Sequence, residues 1–213
     1  MDIEQNYREE IVRYGRYLYQ KDFVAATDGN LSVRLESGNI LCTPSGVNKG
    51  MMEPADLVVV DSRGGKITGS NRPSTEMAMH LLIYRLRPEV RSVVHAHPTT
   101  ATAYAAAGIA LDQPLISELM LSVGPIPLAS YATPGTPELA ASLEPLIPNH
   151  NAILMANHGV VSYGPSLQDA YMNMERVEHF AKVALVTHLL GRQRPLSAAE
   201  SEKLLAIRIG ERS

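Results

Sequence analysis

Seven histidines are spread along the 213-residue chain, and three stand where chemistry could be done. His95 and His97 lie two apart in Ser-Val-Val-His-Ala-His-Pro. Side chains of a strand alternate between faces, so both rings project to one side, roughly 6.5–7 Å apart along the chain. Rings so spaced can converge on one ion about 2.1 Å from each nitrogen. Pro98 ends the strand just beyond them, which sets the pair beside loops. His158 sits between Asn157 and Gly159, where a strand breaks into a turn and glycine lets the backbone bend sharply. A plainer account is open: two half-buried rings bonded to carbonyls, and an ordinary His-Gly turn. A third histidine at a strand end shifts the balance toward one shared divalent cation. His150, in a loop, and His179 and His188, on a long helix, suit structural roles. His80 is intermediate. It follows Glu76 by four residues on one helical face, a spacing that suits a metal or a simple Glu–His pair.

Glu76 is the acid of interest. It follows Ser74 and Thr75 in the first turn of a helix, where the helix dipole alone favours a carboxylate. The same helix start, with two hydroxyls and free amides, is also an anion site. Asp28-Gly29-Asn30 and Thr43-Pro44-Ser45-Gly46 likewise combine glycine with small hydrogen-bonding side chains. Each alone is a turn. Three beside one histidine cluster would cradle a phosphate or carboxylate, with Arg72 and Lys49 near enough in sequence to add positive charge.

The elements that must position these groups follow from periodicity. Ile3, Tyr7, Ile11, Tyr14 and Leu18 predict a helix over 3–22. Residues 31–35 and 40–43 predict a hairpin about Ser37-Gly38, and 57–61 and 66–68 two more strands. Pro73-Ser74 opens a helix over 74–86, Val90–His97 is a strand, and 99–107 a helix ended by Gly108. Further strands are expected at 126–130, 152–156 and 160–163, and helices at 136–147, 166–190 and 197–209. Strands and helices mix without regular βαβ alternation. The expected fold is α/β: a three-layer α/β/α sandwich around a mostly antiparallel central sheet, with residues 1–213 as one domain.

Composition narrows the partners. Apolar residues make up 45% and charged residues 19%, which excludes disordered and low-complexity classes. Net charge is -3, so nucleic acid and acidic membranes find no basic footprint. Cys42 is the only cysteine, which excludes a disulfide framework or cysteine-based zinc cluster within one chain. The polar, acidic start MDIEQNYREE is unlike a targeting peptide, and no apolar run approaches a membrane span, so a cytoplasmic protein is expected.

Taken together, the motifs resemble the class II aldolase/adducin superfamily, in particular its L-fuculose-1-phosphate aldolase branch. The matching stretches are Asp-Gly-Asn-Leu-Ser (28–32), Thr-Pro-Ser-Gly (43–46), Arg-Pro-Ser-Thr-Glu (72–76), His-Ala-His (95–97), Tyr-Ala-Thr-Pro-Gly-Thr (131–136) and Asn-His-Gly (157–159). They stand in family order across nearly the whole chain. The resemblance implies a divalent metal, usually Zn2+ with Mn2+ or Co2+ as substitutes, held by His95, His97 and His158 and completed at rest by Glu76. It implies substrate phosphate contacts from Gly29, Asn30, Ser45, Gly46, Ser74 and Thr75. It also implies a cyclic homotetramer with the site near a subunit interface.

The activity so implied is a metal-dependent aldolase that cleaves a ketose 1-phosphate to dihydroxyacetone phosphate and an aldehyde through a zinc-stabilised enediolate. Glu76 would be the catalytic acid/base at the hydroxymethyl carbon. Two departures bear on the substrate. The family usually has Ser or Thr where this chain has Asp28, and a negative charge there would oppose a phosphate. The branch's tyrosine in the segment matching 115–119 is missing, as is the one in the C-terminal tail; Glu118 could replace the donor or be a surface residue. Within the family, a decarboxylase of 3-oxo-tetronate 4-phosphates needs the same stabilised charge. A methylthioribulose-phosphate dehydratase and a pentulose-5-phosphate 4-epimerase are further alternatives, though the epimerase branch usually carries Asp in place of Glu76. A non-enzymatic adducin-like module would have no reason to keep the three histidines and Glu76 together.

Overall fold

A computed structural model describes residues 3–210, with side chains as far as Arg208. Met1-Asp2 and Glu211-Arg212-Ser213 lie outside the described residues, and with them part of the tail that lacks the expected tyrosine. Helix α1 (Ile3–Gln20) follows the anticipated stripe in burying Ile11, Tyr14 and Leu18, but leaves Ile3 exposed. Strands β1 (Asn30–Arg34) and β2 (Ile40–Cys42) form the expected hairpin, and β3 (Val58–Val60) and β4 (Lys66–Thr68) extend it. Helix α2 (Met77–Leu86) leads to β5 (Ser92–Ala96), then α3 (Thr99–Ala106), α4 (Ser117–Ser122) and β6 (Leu128–Ala129). Helix α5 (Pro137–Leu143), β7 (Ala152–Met155), β8 (Gly159–Gly164), α6 (Leu167–Leu189) and α7 (Ala198–Gly210) complete the chain.

The eight strands form one sheet in the order β4-β3-β2-β1-β5-β8-β7-β6. Every neighbouring pair is antiparallel except β6 beside β7. The fold is therefore α/β around a single, mostly antiparallel sheet, as the motif pattern predicted. Two apolar clusters form, and adjacent strand residues divide between them. Leu41, Val59, Val94 and Val160 join α1, α3 and α6 in one; Ile40, Val58, Val93 and Val161 join α2 and α5 in the other. This is the strand period of two, buried on both sides.

Several boundaries shift by one or two residues, and three departures from expectation are larger. Helix α2 starts at Met77, so Glu76 is its N-terminal flanking residue rather than a member of the first turn. Helix α5 stops at Leu143, short of the anticipated Ile147, because Pro145 lacks the amide hydrogen a continuing helix needs. The six-residue α4 was not anticipated; it is too short for a period to show. Among the described residues, no helix is long and apolar enough to cross a membrane.

Candidate metal centre and active site

Strand β5 delivers the first two histidines. Val93, His95 and His97 share a face by alternation, and that face looks toward α2. His95 is fully buried, while His97 lies one residue beyond the strand with its side chain 25% exposed. The third ring comes from the turn between β7 and β8. Asn157 adopts a left-handed φ of 55° there, and His158 folds back over the strand ends. Gly159 is required at this turn: a Cβ on it would stand 2.5 Å from Cδ2 of His97 and 2.7 Å from the Ala96 carbonyl oxygen.

The three rings meet. Nε2 of His95 and Nε2 of His97 are 3.1 Å apart, and the rings of His95 and His158 have centroids 4.7 Å apart. One nitrogen from each histidine lies within 4.8 Å of the others. Glu76 closes the group, with Oε2 3.2 Å from Nε2 of His95 and Oε1 3.3 Å from Nε2 of His158. The backs of two rings are fixed by their surroundings. Nδ1 of His95 donates to the Val160 carbonyl at 2.9 Å, and Nδ1 of His97 faces Oδ2 of Asp28 at 3.4 Å. Both therefore turn Nε2 toward the centre.

This donor set suits a divalent cation. Four ligands about 2.1 Å from one ion in a tetrahedron stand about 3.4 Å apart. The nitrogen and oxygen separations of 3.1, 3.2 and 3.3 Å match that spacing. Nitrogen lone pairs 3.1 Å apart repel unless a proton or a cation lies between them. Oε1 of Glu76 is buried with no hydrogen-bond partner among the described residues, a further acceptor without a donor.

Electrostatics agree. Burial opposes charge on Glu76, yet the His95 and His158 charges and the Asn30 hydrogen bond hold its carboxyl well below the usual range. Burial, with the charge of His95 behind it, lowers His97 and His158 to about 4. Both rings are thus neutral, ligand-ready imidazoles at pH 7. Burial also disfavours a charged His95, but Glu76 overrides it and raises that pKa.

The structure also gathers the three glycine- and hydroxyl-bearing segments. Ser45 donates its amide to the Arg72 carbonyl at 2.9 Å, and Pro44 bridges to Pro73. Lys49 is buried, and its Nζ donates to the Thr27 and Val47 carbonyls at 3.0 and 2.7 Å, tying the first two segments together. Its charge is therefore spent beneath the loops, and burial lowers it to about 8 despite nearby Asp28. Gly29 has φ of 71°, and a Cβ there would strike Val24 and the His95 carbonyl oxygen. Ser74 accepts the Glu76 amide at 3.2 Å, and Thr75 is exposed beside it. Asn30 is buried with its oxygen on His80 and its nitrogen on Glu76. Asp28, 48% exposed at its side chain, faces His97. Glu118 is exposed in the first turn of α4.

His80 does not touch Glu76 directly, because Asn30 stands between them. Behind His80 lie Ser32, the last residue of the 28–32 motif but without a role assigned there, and Tyr84, which no motif includes. A signal was present: Glu76, just before α2, and His80 and Tyr84 within it recur every four residues, opposite alternating Asn30 and Ser32 on β1. His150, by contrast, bonds the Leu146 carbonyl in a loop, and His179 and His188 are exposed.

Comparison with known proteins agrees with the resemblance. The profile of the Class II Aldolase and Adducin N-terminal domain matches residues 9–185. The chain belongs to this family. A 3-oxo-tetronate 4-phosphate decarboxylase of Escherichia coli K12 is 36% identical, covering 86% of this chain and 88% of the relative. A 5-deoxy-D-ribulose 1-phosphate aldolase of Bacillus thuringiensis is 34% identical over 94% of each chain. Among solved structures, an L-fuculose 1-phosphate aldolase superposes with a TM-score of 0.88 at 32% identity, covering 93% of this chain and 94% of the other. The likeness to L-fuculose 1-phosphate aldolase that the motifs suggested is present, but the decarboxylase relatives, given above as an alternative, stand at higher identity.

Proposed function

We propose that this family member is a divalent-metal-dependent carbon–carbon lyase acting on a phosphorylated keto sugar acid, releasing carbon dioxide from a 3-oxo-tetronate 4-phosphate-like substrate. The observation that carries the lyase reading is the convergence of His95, His97 and His158 with Glu76 at one point. A cation held there, zinc or in its place manganese or cobalt, would draw off the negative charge that develops on the carbonyl and neighbouring hydroxyl oxygens. When the bond to the carboxylate breaks, its electron pair stays on the carbon beside the carbonyl. Carbon dioxide departs without needing a proton. One proton, drawn from solvent, must then reach that carbon, and Glu76 is assigned to take it up and pass it on. Gly29, Ser45, Gly46, Ser74 and Thr75 are assigned to the phosphate, with the remaining amide hydrogen of Asn30. Asp28 is assigned to orient His97, which removes its charge from the list of groups facing the phosphate.

Aldol cleavage of a ketose 1-phosphate to dihydroxyacetone phosphate and an aldehyde is the second reading. It is favoured by the aldolase relative that covers 94% of the chain. It requires the same charge and the same carbon protonated, but also a second group to take the hydroxyl proton as the aldehyde leaves. The tyrosine that would serve is missing from Leu115–Leu119, which is why decarboxylation is placed first. As part of this reading, residues 1–213 act as one domain of helix–sheet–helix layers, and the cytoplasmic enzyme assembles as a cyclic homotetramer.

A panel of 3-oxo acid phosphates, ketose 1-phosphates and ketose 5-phosphates, each with zinc, manganese or cobalt, tests the assignment. Carbon dioxide from the oxo acids supports decarboxylation. Aldehyde from the ketose 1-phosphates would replace it with the aldolase reading. Turnover of neither would overturn the lyase reading.

A further inference from the structure

Five polar side chains lie between β1 and α2, where the surrounding cluster is apolar. Tyr84 and Ser32 share a hydrogen bond of 2.7 Å, and Ser32 bonds Nδ1 of His80 at 2.7 Å. Nε2 of His80 meets Oδ1 of Asn30 at 2.5 Å, and Nδ2 of Asn30 donates to Oε2 of Glu76 at 2.8 Å. His80 and Ser32 are fully buried, Tyr84 and Asn30 are 4% exposed, and Glu76 is 9% exposed.

The protons along this chain can run only one way. A carboxylate accepts, so Asn30 must turn its nitrogen to Glu76; the flipped amide would set two acceptors against each other. The Asn30 oxygen then accepts, so Nε2 of His80 carries the hydrogen. Neutral His80 has a bare Nδ1, which accepts from the Ser32 hydroxyl. Ser32, its hydrogen so committed, accepts from Tyr84. Every donor points toward Glu76. Beside them Ile40, Val93, Leu82 and Ile83 fill the same space with apolar groups, so packing alone does not call for polar ones.

We propose that His80 is the positioning residue of the active site: through Asn30 it fixes Oε2 of Glu76, leaving Oε1 as the atom that moves the proton. This rests on the role given to Glu76 above. Oε1 fits its part, being the buried oxygen without a hydrogen-bond partner among the described residues. An unpinned carboxylate would rotate between its two oxygens and present each only part of the time. Outer partners of this kind typically change activity by about 10–100-fold when removed.

Two measurements test the relay. In the metal-loaded protein, nitrogen NMR of His80 should show Nε2 protonated and Nδ1 bare; hydrogen on Nδ1 would overturn the proposal whatever the substrate. In kinetics, His80→Leu should lower kcat about 10–100-fold while KM and bound zinc stay near wild type. His80→Gln, which can still donate to Asn30, should recover most of that loss. An unchanged kcat in folded, zinc-loaded His80→Leu would sink the idea, as would an equal loss of zinc. If His80→Leu does not fold, Ser32→Ala carries the test by the same criteria. A wild-type enzyme inert toward the whole panel would instead fault the activity assigned above, and the NMR result would stand apart from it.

Discussion

Four side chains carry the proposed chemistry, and their environments divide the labour. His97 and His158 supply neutral nitrogens because burial and the charge of His95 lower their pKa, whereas His95 must give up a proton before it can ligate. Glu76 stays ionised because those rings surround it. Metal content and proton transfer should therefore separate. His95→Ala removes the innermost ligand and should leave purified protein with little zinc by elemental analysis. Glu76→Gln should keep zinc but lower kcat by about 10²–10⁴, with the same loss in deuterium uptake at the product carbon. Wild-type exchange in Glu76→Gln would show that another group moves the proton. Acid should also weaken metal binding. The raised pKa of His95 means that the metal must displace a proton from it, so zinc uptake should release protons near neutral pH, and on acidification affinity should begin to fall while the pH is still above the ordinary imidazole value of about 6.5. Calorimetry in buffers of different ionisation enthalpy reads both.

At the scale of elements, the site depends on how strand ends are finished. His97 has left the ladder of β5, and its amide donates to the Phe23 carbonyl at 2.8 Å. Just after it, the buried Glu178 of α6 accepts the amides of Thr100 and Ala101 at the start of α3. Gly159 lets the β8 backbone lie against the His97 ring. Gly159→Ala should push that ring aside and cost about tenfold or more in zinc affinity, a size typical of disturbed ligand orientation. Its φ is not in the left-handed region, so the effect comes from the ring contact and not from backbone strain. Wild-type zinc affinity in folded Gly159→Ala would show that the ring moves without consequence.

At the scale of the whole molecule, polar groups buried for function set the pH dependence of stability. His80 is lowered to about 3 by burial and by the charge of His95. The unfolded chain, with an imidazole near 6.5, binds that proton first. The stability His80 contributes is thus fully present above about 6.5 and is lost as pH falls toward 3, at up to about 1.4 kcal/mol per pH unit. His97 and His158 act in the same direction down to about 4. His95 acts oppositely, but its raised value puts its effect above 6.5. Urea unfolding of metal-stripped protein should give a midpoint that drops steadily from pH 7 to pH 5. A flat profile would mean that these rings are charged or solvated in the native state.

Much of this was legible in the chain itself. The His-x-His spacing, the glycine after His158 and the acid after Ser74-Thr75 are local facts, and strand alternation turns the first into two rings on one face. The mix of strand and helix patterns without regular βαβ alternation carried the fold class and the antiparallel sheet. What the sequence could not express was distance between remote segments. Ser32 and Tyr84 read as ordinary strand and helix residues until β1 and α2 pack and bury both. Asp28 read as a charge against phosphate, and only the turn before β1 aims it at His97. Asn30 likewise read as an anion contact until His80 and Glu76 claimed its amide. Residue types and short-range spacing determine which chemistry is available. Which oxygen of Glu76 is held, and which ring each carboxylate orients, is decided by long-range packing, because hydrogen bonds act over about 3 Å between residues tens of positions apart.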